Sequence, residues 1–193
     1  MPESKTLETN PSNNVLELQQ VLQQAELLFD AEDIESAIDK LAQRLTERLG
    51  DASPLVLCVM QGGLMFTAKI MSLLPLDVEF DYIHATRYGN NTTGDAIEWL
   101  AYPNKKLENR TVLILDDILD EGYTLAAIEQ YCRDQGARDV ISAVLLQKKH
   151  DRLKAGMYCD FVALEVDDRY VFGYGMDYKG KLRHLNRIYA IPT

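Results

Sequence analysis

The chain has 193 residues, 47% of them hydrophobic, enough to bury the core of one domain with short appendages. Its 30 Asp plus Glu outnumber 20 Lys plus Arg, a formal charge of -10 that offers no basic footprint for DNA or RNA. Residues 1–14, MPESKTLETNPSNN, lack the cationic start and apolar run of a signal peptide, and no stretch reaches the ~18 consecutive apolar residues of a membrane span, so a cytoplasmic protein without membrane partners is expected.

Residues 1–14 are polar and predict a flexible tail. Val15 to Phe29 carries apolar side chains at helical spacing. A second helix is predicted from Ala31 to Leu49, with Asp30 as N-cap, Ile34, Ile38, Leu41 and Leu45 on one face, and Gly50 just past its end. Residues 15–50 thus form an expected helical appendage to a domain spanning 51–193. From Pro54 the pattern changes to alternating strands and helices. Leu55 to Met60 is a continuous apolar run suited to a strand buried on both faces, and Gly62 and Gly63 lead into a helix from Leu64 to Leu74. Strands follow around Val78 to Tyr82 and Ile97 to Tyr102, separated by the polar segment Arg87 to Asp95. Thr111 to Leu115 is another buried run, Thr124 to Gln135 a helix closed by Gly136, and Val140 to Leu146 a further strand. This order predicts a mainly parallel α/β sheet with its chemistry at the carboxyl ends of the strands. Cys58, Cys132 and Cys159 fit reduced structural thiols better than a disulfide frame, and His84, His150 and His184 are too scattered for zinc.

The segment LILDDILDEGYTL, residues 113–125, runs an apolar strand into Asp116, Asp117, Asp120 and Glu121, four carboxylates within six positions. Crowding like charges costs energy unless a cation or a hydroxyl-rich ligand compensates them. The turn from Asp120 to Thr124 aims successive N–H groups, a hydroxyl and a helix N-terminus at one point, which holds a phosphate without a lysine. Asp116 and Asp117 are placed to grip ribose hydroxyls directly or through Mg²⁺. The alternative is an acidic turn in which Asp120 or Glu121 caps the helix.

These thirteen residues resemble the phosphoribosyl pyrophosphate (PRPP) motif of the type I phosphoribosyltransferases, two acids followed by a phosphate loop bearing glycine and threonine. DRYVFGYGMDY at 168–178 and LRHLN at 182–186 are similar to the purine end of the hypoxanthine-guanine branch, so the resemblance covers about residues 54–190. It implies a mainly parallel five-stranded core sheet flanked by helices, a small purine-binding hood formed by the C-terminal part, and a mobile catalytic loop. The implied reaction joins hypoxanthine or guanine to PRPP, giving IMP or GMP and pyrophosphate, with Mg²⁺ as cofactor and a homodimer or homotetramer as the assembly.

Carried over position by position, the resemblance gives Asp116 and Asp117 the ribose hydroxyls and associated Mg²⁺. It places Asp120 opposite ring nitrogen 7 as a candidate general base, and wraps Glu121, Gly122, Tyr123 and Thr124 around the 5′-phosphate. Tyr170 matches the aromatic that stacks on the base, Val171 supplies backbone contacts, and Asp177 matches a carboxylate reaching a second Mg²⁺. One family lysine donates to the purine 6-oxygen: an ungapped count back from Tyr170 favours Lys149, whereas the match of LLQK favours Lys148, the preferred of the two. A cation there selects an oxo over an amino group, because an amine leaves it unpaired. Arg183 fits the position that forks pyrophosphate oxygens. MQGG at 60–63, with Gln61 and Gly62, corresponds to the pyrophosphate turn, and Gln61 stands where lysine is common. ATRYGNNTTGDAIEW at 85–99 resembles the loop that closes over the transition state; Tyr88 keeps its aromatic, and Arg87 replaces a common serine with a charge that would offset Gln61.

Rival readings remain. A xanthine-preferring transferase would use the same scaffold. A non-catalytic PRPP-sensing regulator would need a basic nucleic-acid surface, which the acidic N-terminal helices do not supply. A response-regulator-like phosphoacceptor domain would leave the phosphate loop and GYGMDY without a role.

Overall fold

The structure, a computed structural model, describes residues 11–87, 97–153 and 156–192. Its elements in chain order are α1 (Pro11–Gln24), β1 (Glu26–Phe29), α2 (Ala31–Leu49), β2 (Leu55–Val59), α3 (Leu64–Leu73), β3 (Glu79–Arg87), β4 (Ile97–Ala101), β5 (Thr111–Leu119), α4 (Tyr123–Asp134), β6 (Asp139–Lys149), β7 (Phe161–Asp167), β8 (Val171–Phe172) and β9 (Ile188–Ala190). Six strands form one sheet in the order β4-β3-β2-β5-β6-β7. Strands β3, β2, β5, β6 and β7 are parallel, the expected five-stranded core, and β4 adds an antiparallel edge.

The apolar runs of the central strands are continuous because both faces are covered. Val56, Leu113, Leu115, Ile141 and Ala143 pack with Phe66 and Ile70 of α3 and with the buried stripe of α2. Leu55, Leu57, Val112, Ile114 and Val144 pack with Leu125, Ile128 and Cys132 of α4 on the other face. Helix α2 starts where the sequence predicts: Asp30 Oδ1 accepts the N–H groups of Glu32 and Asp33 at 2.9 Å, and Asp33 accepts the Asp30 N–H at 3.2 Å. Its Ile34, Ile38, Leu41 and Leu45 are almost wholly buried, each contributing about 1.5–3 kcal/mol. That burial corrects the expectation of an appendage, since α2 is one of the layers enclosing the core sheet.

The predicted helix from Val15 to Phe29 is also corrected. Helix α1 begins at Pro11, inside the expected tail, and closes at Gln24, with the Ala25 N–H bonded to the Val21 carbonyl at 2.8 Å. Leu27, Leu28 and Phe29 continue the helical spacing in sequence, but the backbone turns extended and pairs antiparallel with β9, Glu26 opposite Ala190 and Leu27 opposite Tyr189. The hood sheet, β1-β9-β8, therefore draws on the N-terminal part as well as the C-terminal part. Strand β5 runs to Leu119, beyond its predicted end at Leu115, so Asp116 and Asp117 are strand residues. No described helix is long and apolar enough to cross a membrane. Cys58, Cys132 and Cys159 are free thiols, and burial pushes Cys132 up to about 12 and Cys159 up to about 11.

Candidate active site

The carboxyl ends of β2, β3 and β5 and the start of α4 surround a cavity of about 440 Å³. Its walls bring together Gln61 and Gly62, Arg87, Asp116 and Asp117, Asp120 through Thr124, and Arg183 from the hood. Those are the residues expected at the PRPP site, save Tyr88, which lies outside the described residues along with most of the segment 85–99. His84 and Thr86 also line the cavity and were not singled out in the sequence. Their spacing of two, on a strand that ends at the site, is the signal that would have found them.

Asp116 is 8% exposed, and its Oδ1 accepts the Asp117 N–H at 2.9 Å. Burial, reinforced by repulsion from Asp117, pushes the Asp116 carboxyl well above the ordinary carboxylate range. Burial also raises Asp117, against the lowering effects of its contact with Asp116 and of the Arg183 charge. One buried and one half-buried acid that resist ionisation together form an all-oxygen donor set that a hard divalent cation or ligand hydroxyls would compensate, so the pair fits Mg²⁺.

Gly62 packs against this pair so closely that a Cβ there would lie 1.7 Å from Asp117 Oδ2. On the hood side, a Cβ on Gly175 (φ +100°) would lie 2.0 Å from the Gly62 carbonyl oxygen. The Gln61–Gly62 turn is thus held between the acid pair and the hood, and the Met60–Gln61 peptide is cis.

The turn from Asp120 to Thr124 depends on Gly122, whose φ of +80° lets the chain pass from β5 into α4. Ala126 donates to the Gly122 carbonyl at 3.0 Å, closing the first turn of a helix whose N-terminus opens on the cavity. Arg87 forms an ion pair with Glu121, and its guanidinium carbon lies 4.8 Å from the centroid of the Tyr123 ring.

Asp120 is less free than the role of a base requires. Its Oδ2 accepts from Lys148 Nζ at 2.6 Å, and its Oδ1 lies 2.8 Å from His150 Nε2. Burial alone would raise its carboxyl; the Lys148 and His150 contacts outweigh that and hold it below the ordinary range. The parallel pairing of Leu119 with Gln147 carries Asp120 to the end of β6 beside Lys148. Lys149 instead pairs with Glu165 at 2.9 Å, so of the two candidate lysines it is Lys148 that contacts Asp120. Asp120, His150 and Asp168 have ligand atoms within 4.8 Å of one another. Lys148 already compensates Asp120, and Arg152 holds Asp168 at 2.5 and 3.0 Å, so this group has little charge left to attract a cation.

The remaining expected residues sit on the hood and do not line the cavity. Tyr170 is 51% exposed and its hydroxyl donates to the Asp177 carbonyl at 3.1 Å, while Val171 is buried in β8. Asp177 bonds Arg183 Nη2 at 2.9 Å through Oδ1 and accepts the Gly180 N–H at 2.6 Å through Oδ2. Arg183 also donates from Nη1 to the Gly175 carbonyl at 2.8 Å, so it is anchored to the hood while facing the acid pair.

Residues 24–179 match the phosphoribosyl transferase domain family. Hypoxanthine-guanine phosphoribosyltransferase of Bacillus subtilis is 32% identical over 160 residues, covering 82% of this chain and 88% of that protein. The chain belongs to the phosphoribosyltransferase family, and on this identity and coverage to its hypoxanthine-guanine branch. Among solved structures, a hypoxanthine phosphoribosyltransferase of Staphylococcus aureus superposes with TM-score 0.83 at 25% identity, covering 89% of this chain and 94% of that one. A hypoxanthine-guanine-xanthine phosphoribosyltransferase does so with TM-score 0.79 at 26% identity, covering 87% and 97%.

Proposed function

We propose that this chain transfers the 5-phosphoribosyl group of PRPP to hypoxanthine or guanine, giving IMP or GMP and pyrophosphate. The observation that carries this reading is the pair of buried Asp116 and half-buried Asp117 opening, with the Asp120–Thr124 turn, on one cavity. Thr124 and the N-terminus of α4 take the 5′-phosphate, and Asp116 and Asp117 take the ribose hydroxyls. Asp116 and Asp117 would hold Mg²⁺, which would supply neutralisation of the acid pair and of the charge developing on pyrophosphate. Gln61 is neutral, so positive charge for the leaving group comes from Arg183 and from Arg87 once it leaves Glu121.

The purine lies beneath the hood, stacked on Tyr170, with its 6-oxygen on Lys148 and the Val171 backbone at its edge. Asp177 holds Arg183, and its carboxylate would be available to a second Mg²⁺. Ring nitrogen 9 bonds to the anomeric carbon as the bond to pyrophosphate breaks, and the electron pair leaves with pyrophosphate. The proton on ring nitrogen 7 passes to Asp120.

Xanthine belongs on the list of candidate purines, because one structural neighbour carries it in its name. The reading includes a homodimer or homotetramer, supported by the exposed Phe80, Tyr82 and Leu100 on β3 and β4. It also includes a cytoplasmic setting, where the three free thiols stay reduced. The test mixes protein, PRPP and Mg²⁺ with hypoxanthine, guanine, xanthine or adenine and follows nucleotide formation by absorbance. Turnover of 6-oxopurines but not adenine is expected, and no turnover of any purine overturns the reading. Sedimentation of the same preparation settles the assembly.

A further inference from the structure

The His150 side chain, just past the end of β6, is only 4% exposed, and nothing in the proposed chemistry yet uses it. Its two ring nitrogens have different partners. The Arg152 backbone N–H donates to Nδ1 at 3.1 Å, so Nδ1 is the acceptor and the ring proton sits on Nε2, 2.8 Å from Asp120 Oδ1. His150 is therefore a donor to Asp120, with its tautomer set by the chain two residues on.

Lys148 holds the other oxygen of the same carboxylate at 2.6 Å. In the proposed reaction Lys148 turns to the purine 6-oxygen, which releases Oδ2 in the direction of the base. A carboxylate held only by Lys148 would then rotate freely. The Arg152 guanidinium is no substitute, because its Nη2 is 3.7 Å from Oδ1 and its short bonds go to Asp168.

We propose that His150 is the positioning residue for Asp120: its Nε2–H fixes Oδ1, so that Oδ2 faces the purine ring nitrogen when Lys148 moves to the 6-oxygen. This rests on the phosphoribosyl-transfer reading and extends it to a residue outside the PRPP motif. The charged and titratable groups around Asp120 are Lys148 in β6, His150 and Arg152 just beyond it, the adjacent Glu121, and Asp168 beyond Arg152. Loss of the His150 donor moves Asp120 upward, because one of the two contacts holding it down is gone.

The experiment compares wild type, His150→Phe and His150→Gln in pH–rate profiles with hypoxanthine and PRPP, and records ¹⁵N shifts of the wild-type imidazole. A Gln amide nitrogen reaches about as far as Nε2 and keeps the donor. His150→Phe is expected to lose roughly tenfold in kcat, the value of one hydrogen bond to a charged group. The acid limb of its kcat/KM should move to higher pH, with KM for PRPP unchanged, and His150→Gln should restore both. The shifts should show Nε2 as the protonated nitrogen. A folded His150→Phe with wild-type kcat and an unmoved acid limb overturns the proposal. A proton on Nδ1 overturns it even if neither variant folds. Absence of wild-type turnover is a separate result and defeats the parent reading instead.

Discussion

Gly62→Ala separates geometry at the acid pair from stability of the fold. The added methyl carbon would sit 1.7 Å from Asp117 Oδ2 and 2.4 Å from its Cγ, whereas real Cβ contacts essentially never fall below 3.0 Å. Either the carboxylate or the turn must give way by more than about 1 Å, and misplacement on that scale costs on the order of 10²-fold in rate, close to 2.7 kcal/mol of transition-state stabilisation. The atoms met belong to a side chain bordering an open cavity, so Asp117 swings aside at little expense to the fold. The expected outcome is a fall of about a hundredfold in kcat/KM for PRPP with a melting temperature within a few degrees of wild type. Gly175→Ala is the contrasting case. Its methyl would meet the Gly62 carbonyl oxygen at 2.0 Å and the carbonyl carbon at 3.1 Å, at a φ of +100° that disfavours any side chain. Backbone against backbone cannot swing aside, so Gly175→Ala should lower the melting temperature by roughly 5–10 °C. Initial-rate assays and thermal melts on both variants decide the matter. Wild-type kcat/KM for Gly62→Ala, within about threefold, would refute the placement of Asp117 against the pyrophosphate turn.

Asp116→Asn should raise the melting temperature of the ligand-free protein at pH 7 while abolishing transfer. The wild-type carboxyl binds its proton more tightly folded than unfolded, so its contribution to stability is present at low pH and is lost as pH rises through its folded value. The gain from asparagine should accordingly shrink toward pH 4 in melts across pH, and a gain that stays constant would contradict the assignment. Lys148→Met should cut kcat/KM for hypoxanthine at least tenfold, from loss of a charged hydrogen bond. Lys149→Met should stay within about threefold, because an exposed pair with Glu165 is worth ~1 kcal/mol or less; equal losses in rate assays would undo the choice between them. Arg183→Lys should raise the pyrophosphate dissociation constant about tenfold in calorimetry, since an ammonium makes the Gly175 or Asp177 contact but not both.

What could be read from the sequence follows the range of the forces involved. Helix α2 was placed to the residue because its signals are local: a reciprocal cap at Asp30 and Asp33, a stripe at 34, 38, 41 and 45, and a glycine stop. Strand β1 was misread because its four residues continue the helical spacing, and only β9, more than 150 residues on, holds them extended. Strands β8 and β9, of two and three residues, are too short to show an alternating pattern in sequence. The site divides along this line. The acidic turn is contiguous in sequence, and all its residues from Asp116 to Thr124 line one cavity.

The surroundings of Asp120 were not legible, because they depend on register. Thirty positions separate Asp120 from His150 in sequence, yet the in-phase pairing of β5 with β6, Ile118 with Leu146 and Leu119 with Gln147, brings the strand ends level. That register also chooses between the lysines: successive strand residues point to opposite faces, so if Lys148 meets Asp120, Lys149 must face away. A one-residue slip of β6 would exchange them and remove His150 from Asp120 at the same time. The Lys148 and His150 contacts with Asp120, and with them the base and oxo-selecting roles proposed for Asp120 and Lys148, therefore share one structural determinant. Its strength comes from Ala143, Val144, Leu145 and Leu146, buried on both faces of the sheet and unable to slip without exchanging sides of the core. On the proposed reading, substrate discrimination at the purine would therefore depend on apolar packing at the centre of the sheet.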